Sequence, residues 1–113
     1  MSGTEQVKAV HSTDELLRYL PHLCIIKFTA SWCGPCRAIA PVVEQLAAEY
    51  SDIWFLSVDI DECNSIASVF NVQSMPTFVG VFNHAEVARF SGADKEQLQN
   101  LANTVRNHKT TML

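Results

Sequence analysis

Two cysteines, Cys33 and Cys36, stand three positions apart in the run Trp32-Cys33-Gly34-Pro35-Cys36. Two thiols at that spacing have few chemical uses. They can make and break a disulfide, supply half of a tetrahedral zinc site, form an inert cross-link, or pack as small apolar side chains. Structural zinc needs four ligands, yet no second Cys-x-x-Cys pair exists, and the four histidines are scattered at positions 11, 22, 84 and 108. An inert cross-link is disfavoured in a reducing compartment. The run Trp-Cys-Gly-Pro-Cys is not a core pattern. Reversible dithiol–disulfide exchange is therefore the leading reading, with the other three behind it.

The position of the pair gives that chemistry a physical basis. Residues 23–29, Leu-Cys-Ile-Ile-Lys-Phe-Thr, are a nearly continuous apolar run, the sign of a strand covered on both faces. Ile39, Val42, Val43, Leu46 and Ala47 then follow helical spacing, which predicts a helix over about 33–50 with a kink at Pro41. Cys33 would sit at that helix start, where unpaired N–H groups and the positive dipole end favour a thiolate. Such a site draws a thiol pKa from about 8.5 toward 7 or below, which makes Cys33 the attacking nucleophile. Cys36, one turn on and expected to be more buried, would resolve the mixed disulfide that Cys33 forms with a substrate. Gly34 allows close approach of a substrate chain, and Pro35 suits a first helical turn, where its missing N–H costs nothing.

The remaining elements alternate. Residues 7–10 read as a short strand, and Ser12-Thr13-Asp14-Glu15 as a capping box that opens a helix to about Leu20. Residues 53–59 form a second buried strand, in which Trp54 reads as core or sheet-edge packing. Cys63, Ile66, Ala67 and Phe70 mark a short helix. Residues 77–82 and 86–90 pair through a turn at Asn83-His84-Ala85. Asp94 caps a last helix with Leu98, Leu101, Ala102 and Val105 facing inward. This order predicts an α/β protein, a mixed sheet of parallel strands closed by a hairpin and sandwiched by helices.

Length and composition set the outer limits. The 113 residues are expected to form a single domain, 1–113; 48% are apolar and 18% charged, which excludes a disordered polymer. Eight Lys and Arg against twelve Asp and Glu give a net charge of −4. That balance argues against nucleic-acid partners and against anionic membranes. The first residues carry neither a basic region nor an apolar core of a signal peptide, and no Asn-x-Ser/Thr sequon occurs, so a cytoplasmic location is expected.

Over about residues 5–107 the sequence resembles thioredoxins. Phe28, Ala30, Trp32-Cys33-Gly34-Pro35-Cys36, Pro41, Asp59-Ile60-Asp61, Met75-Pro76-Thr77-Phe78 and Gly92 carry the resemblance. It implies a thioredoxin fold, with a central mixed sheet of four to five strands flanked by four helices in three α/β/α layers. It implies a monomeric protein-disulfide reductase of the reductant branch, serving reductive enzymes and cell redox homeostasis. No metal and no cofactor beyond the redox-active Cys33–Cys36 disulfide would be needed. The implied partners are disulfide-containing client proteins and an electron donor, either a flavoprotein thioredoxin reductase or a low-molecular-weight dithiol. The family also places a cis bond before Pro76, set against the cysteines. Trp32, Gly34, Pro35, Met75, Pro76, Gly92 and Ala93 would then make a flat docking face on which the Met75 backbone pairs with an extended client. A different class of function, a redox-sensing module whose reduced form binds and regulates a partner, is the alternative.

The sharpest departure from the family is Lys27, where thioredoxins usually carry a buried Asp beneath the second cysteine. An ammonium cannot accept the resolving thiol's proton, though it would favour a nearby thiolate. Equally, its stem could pack while the head reaches water. Ser57 replaces a frequent Lys, Ala85 a frequent turn glycine, and Arg37 keeps positive charge beside the thiols. Cys24, in a strand, and Cys63, on a helix's apolar face, read as buried packing thiols. A regulatory role for Cys63 is the sharper alternative, weakened because Ser74 stands where relatives with regulatory cysteines often have another.

Overall fold

The computed structural model describes residues 6–112. Five strands and four helices alternate along the chain: β1 (Val7–Val10), α1 (Thr13–Leu17), β2 (Cys24–Thr29), α2 (Gly34–Glu49), β3 (Trp54–Asp59), α3 (Asn64–Val69), β4 (Thr77–Phe82), β5 (Ala85–Ser91) and α4 (Lys95–Met112). The sheet order is β1-β3-β2-β4-β5. Strands β1, β3 and β2 run parallel, and β4 and β5 antiparallel, so the predicted mixed sheet with its closing hairpin is found.

The continuous apolar run in β2 has the predicted cause. Cys24, Ile26 and Phe28 point to one face, into a core shared with Leu16 of α1 and Ile66 of α3. Ile25 points to the other, into a core shared with Ile39, Val43 and Leu46 of α2 and Leu98, Leu101 and Val105 of α4. With helices on both faces the strand has no wet side.

Local signals set most boundaries. The Ser12 hydroxyl accepts the Glu15 N–H at 3.1 Å, while the Glu15 carboxylate accepts the His11 N–H at 2.8 Å, one residue before the partner a capping box uses. Helix α1 ends at Leu17 rather than Leu20, because Arg18 to Pro21 form turns. The Asp94 carboxylate accepts the Gln97 N–H at 3.0 Å and caps α4 as predicted. Helix α3 closes with Asn71 at φ 55°, whose N–H donates to Ser68, while the Val72 N–H reaches back to Ala67. The hairpin turn contains two residues rather than three. Asn83 and His84 have φ 54° and 68°, and Ala85 already pairs with Phe82. Trp54 is 42% exposed and lies edge-on to Tyr19 at 5.2 Å, so it is neither core nor sheet edge. A register shift at Gly80/Val81 bends the β4–β5 ladder, and β5 carries Glu86 and Arg89 in an ion pair.

Gly80 lets α4 lie close to the sheet. A Cβ there would meet the Val105 Cγ2 at 2.5 Å and the Leu101 Cδ1 at 3.2 Å. A β-branched valine in a helix has one favoured rotamer and cannot swing away. Gly80→Ala is expected to lower stability by about 1–3 kcal/mol. In urea the unfolding midpoint should fall with an unchanged slope; an unmoved midpoint would mean that α4 is not seated against Gly80.

Candidate active site

The sheet register assembles the site. Phe28, near the carboxyl end of β2, pairs with Thr77, the first residue of antiparallel β4. The chain leaving β2 toward Cys33 therefore lies beside the chain entering β4 through Met75 and Pro76. Three hydrogen bonds pin that entry. The Thr77 hydroxyl lies 2.6 Å from the Ser74 carbonyl and 2.8 Å from the Ser91 hydroxyl, and the Gly92 N–H donates to the Pro76 carbonyl at 2.9 Å. The Met75–Pro76 bond is cis.

Cys33 occupies the cap position of α2, with extended backbone at φ −89° and ψ 107°. Its Sγ accepts the Cys36 N–H at 3.2 Å, so a sulfur satisfies one of the N–H groups that a helix start leaves unpaired. Pro35 in the first turn has no N–H to satisfy. The Cys33 N–H closes the turn out of β2 on the Ala30 carbonyl at 3.1 Å. Cys33 and Cys36 are joined in a disulfide, with their Cα atoms 5.3 Å apart. Both are buried, at 4% and 2% exposure, so the expected difference in burial is small. Their surroundings distinguish them better. Cys33 caps the helix, whereas Cys36 lines an open cleft of about 350 Å³ together with Lys27, Arg37 and Asp59.

Most of the predicted site residues converge here. Ile60 and half-buried Met75 pack against Ala30, Cys33 and Cys36. Pro76 is buried, Gly34 is exposed with open space over it, and Trp32 is 63% exposed. The Trp32 indole donates to the Asp61 carboxylate at 2.9 Å. Gly92 joins the group through its bond to Pro76, with φ +110° that a side chain would strain. Ala93 is exposed and borders a separate hollow with Ala38 and Lys95. Sequence reasoning missed the supports. Asp61 holds the indole, Ser91 braces Thr77, and the Ser31 carbonyl accepts the Arg37 guanidinium at 2.7 Å. Only Asp61 had left a trace, within Asp59-Ile60-Asp61.

The thioredoxin family profile matches residues 6–106. The chain belongs to the thioredoxin family. It is 41% identical to thioredoxin H2-1 of Oryza sativa subsp. japonica over 115 residues, covering 96% of this chain and 83% of that one. It is 46% identical over 99 residues to the TPR repeat-containing thioredoxin TDX of the same species, covering 82% of this chain but only 31% of that longer protein. The solved structure of the Malassezia sympodialis thioredoxin superposes with a TM-score of 0.82 at 32% identity, covering 88% of this chain and 90% of that one. The thioredoxin fold expected from the motif is thus established. With it comes thiol–disulfide oxidoreductase activity, the reduction of protein disulfides, and the regulatory-module alternative is not favoured. Among the described residues no helix is long and apolar enough to cross a membrane.

The other two thiols are unlike the pair. The Cys24 Sγ is buried 2.8 Å from the Tyr19 carbonyl, and burial pushes its pKa up to about 12. Cys63 stands at the N-cap position of α3, where its side chain makes no capping bond, and it is buried as expected in the core with Leu16, Ile66 and Ala67. Its thiol is raised first by burial and then by Glu62, Asp59 and Glu15. Iodoacetamide on the reduced native protein should label Cys33 quickly and leave Cys24 and Cys63 until denaturant is added, as peptide mass spectrometry would read. The Cys24 thiol ordinarily titrates at 9.0 and stays protonated in the fold to about 12. The unfolded chain thus gains a proton-release route that the native state lacks, and native stability falls as pH rises through that window. Cys24→Ala should flatten this alkaline fall; an unchanged slope would assign it to other groups.

Proposed function

We propose that this protein is a general reductant of disulfides in client proteins, with Cys33 as nucleophile and Cys36 as resolving thiol. The Cys33 thiolate attacks one sulfur of a client disulfide, forming a mixed disulfide and releasing the first client thiolate. Cys36 then loses its proton and attacks the Cys33 sulfur, the second client thiolate leaves, and the Cys33–Cys36 disulfide remains. Two electrons pass from the protein to the client. The observation that carries this reading is the Cys33 sulfur at the start of α2, accepting the Cys36 N–H at 3.2 Å. The same N–H and the positive helix end would stabilise a thiolate on Cys33 and favour its ionised, attacking form.

The client surface is Trp32, Gly34, Pro35, Met75, Pro76 and Gly92, with Ala93 at its margin. The exposed indole and the open space over Gly34 suit an extended segment laid beside Met75. The disulfide is returned to the dithiol by a donor, a flavoprotein thioredoxin reductase or a small dithiol, in the cytoplasm. The protein works as a monomer, without nucleic-acid or membrane partners.

Insulin disulfide reduction with catalytic protein and excess dithiothreitol tests this. The wild type should turn over, and Cys33→Ser should lose at least about a thousandfold in rate, because no nucleophile remains at the helix start. Turnover by Cys33→Ser within about tenfold of the wild type, after subtracting the rate with dithiothreitol alone, would overturn the assignment. Cys36→Ser should accumulate mixed disulfides with clients, seen as thiol-sensitive higher-mass bands. Trp32→Ala should raise KM for insulin several-fold with little change in rate toward a small disulfide, through loss of exposed apolar contact area; equal losses on both would remove Trp32 from client binding.

A further inference from the structure

Lys27 is misplaced by the logic of its strand. Side chains alternate along β2, and Ile25, on the same face, is buried in the core under α2 and α4. Lys27 follows two residues later on that face, in register with Ser57 of β3 and Phe78 of β4. A cation so placed costs free energy unless something solvates or uses its charge. An open cleft at Lys27 supplies the first. Cys36 and Arg37 line it from α2, Asp59 from β3, and Lys27 from β2. About 350 Å³ holds several waters, so a proton leaving Cys36 has a wet path out.

We propose that Lys27 is a positioning residue for resolution, whose charge favours the Cys36 thiolate while the Cys36 proton leaves through the cleft they share. The inference rests on the disulfide-reductase reading. In the resolving step the Cys36 S–H bond breaks and its proton passes to cleft water. The electron pair left on sulfur forms the Cys33–Cys36 bond, and the Cys33–client S–S bond breaks. The client sulfur leaves with the electron pair of the broken Cys33–client bond and takes a proton from solvent.

The charged groups around the cleft leave this role open to Lys27. The Arg37 guanidinium is held by the Ser31 carbonyl. One oxygen of the Asp59 carboxylate, Oδ1, accepts both the Asp61 and Glu62 N–H groups, at 2.8 and 3.2 Å, and its charge is shared with those donors. Glu44, further along α2, accepts the Gln6 N–H at 3.0 Å and acts on Lys27 through its charge. Burial draws the Lys27 ammonium below its ordinary value, and Glu44 draws it back up. No carboxylate occupies position 27 to receive the proton, and a protonated ammonium cannot.

The test titrates Cys36 by NMR of its Cβ in a Cys33→Ser background, where it has no partner thiol. Lys27→Met should raise the Cys36 midpoint by about one pH unit, and Lys27→Arg should leave it near wild type, because charge at that site and not side-chain shape is responsible. Superimposed curves for Lys27 and Lys27→Met, or a Lys27→Arg curve that follows Lys27→Met, would overturn the proposal. A second readout needs no change at Lys27. Coupling is reciprocal, so the Lys27 amine should titrate higher in the Cys33→Ser protein, where Cys36 ionises, than in the disulfide form. Equal midpoints would overturn it as well. Insulin turnover by the wild type judges the reductase reading separately, since Cys36 can be titrated whether or not a client is reduced.

Discussion

Strand β2 has a hydrogen-bonded neighbour on each side and a layer of helices on each face, and this confinement is the constraint on which the molecule depends. Six residues are held from four directions. The carboxyl end of such a strand is a fixed point, and the chain leaving it must turn through Ala30 and begin α2 in one place. The antiparallel pairing of Phe28 with Thr77 delivers the Met75–Pro76 segment to that same place. Sequence-distant residues thereby meet at a disulfide with no dedicated scaffold beyond the sheet. At the cleft between β2, β3 and α2, the confinement relaxes where Lys27 and Cys36 lie.

Elements whose signals are local were legible in the sequence. The two-sided burial of β2, the cap at Asp94, the helix start at Cys33 and the apolar faces of α2 and α4 each follow from a few adjacent residues. The features that were not legible depend on partners far away in the chain. Helix α1 stops early because the chain turns through Arg18 to Pro21 before entering the central strand. Trp54 is 42% exposed and packs edge-on against Tyr19, thirty-five positions earlier, a contact that no local pattern announces. The two-residue hairpin was hidden because His84 adopts a positive φ usually left to glycine. Asp61, Thr77 and Ser91 brace the site through bonds that no spacing announces.

The site's chemistry was legible in kind but only partly in arrangement. The cysteine motif pointed to Cys33, the proposed nucleophile, by its place at a helix start, a local property. The expected contrast in burial between the two thiols nearly vanishes in the disulfide form. What separates them is the cap bond on one side and the cleft on the other, and only the packing of α2 over β2 reveals the cleft. Peripheral ion pairs such as Arg106–Asp52 and Arg89–Glu86 lie at the surface, where screening leaves them little weight. Arg106 also lies 4.3 Å from the centre of the Tyr50 ring, and the Tyr50 hydroxyl bonds Asn103 at 2.6 Å. Those contacts tie the end of α2 to α4 and help hold α2 on the sheet.

The register shift at Gly80/Val81 and the charges on β5 have a consequence for how copies of this protein meet. A sheet that ends in an open strand is a template for another chain's strand. Here one boundary strand is only four residues long and carries Lys8, while the other is bent by the irregular ladder and bears Glu86 and Arg89. Neither offers a long, flat, uncharged row of backbone groups. The fold thus discourages open-ended strand addition between its own copies.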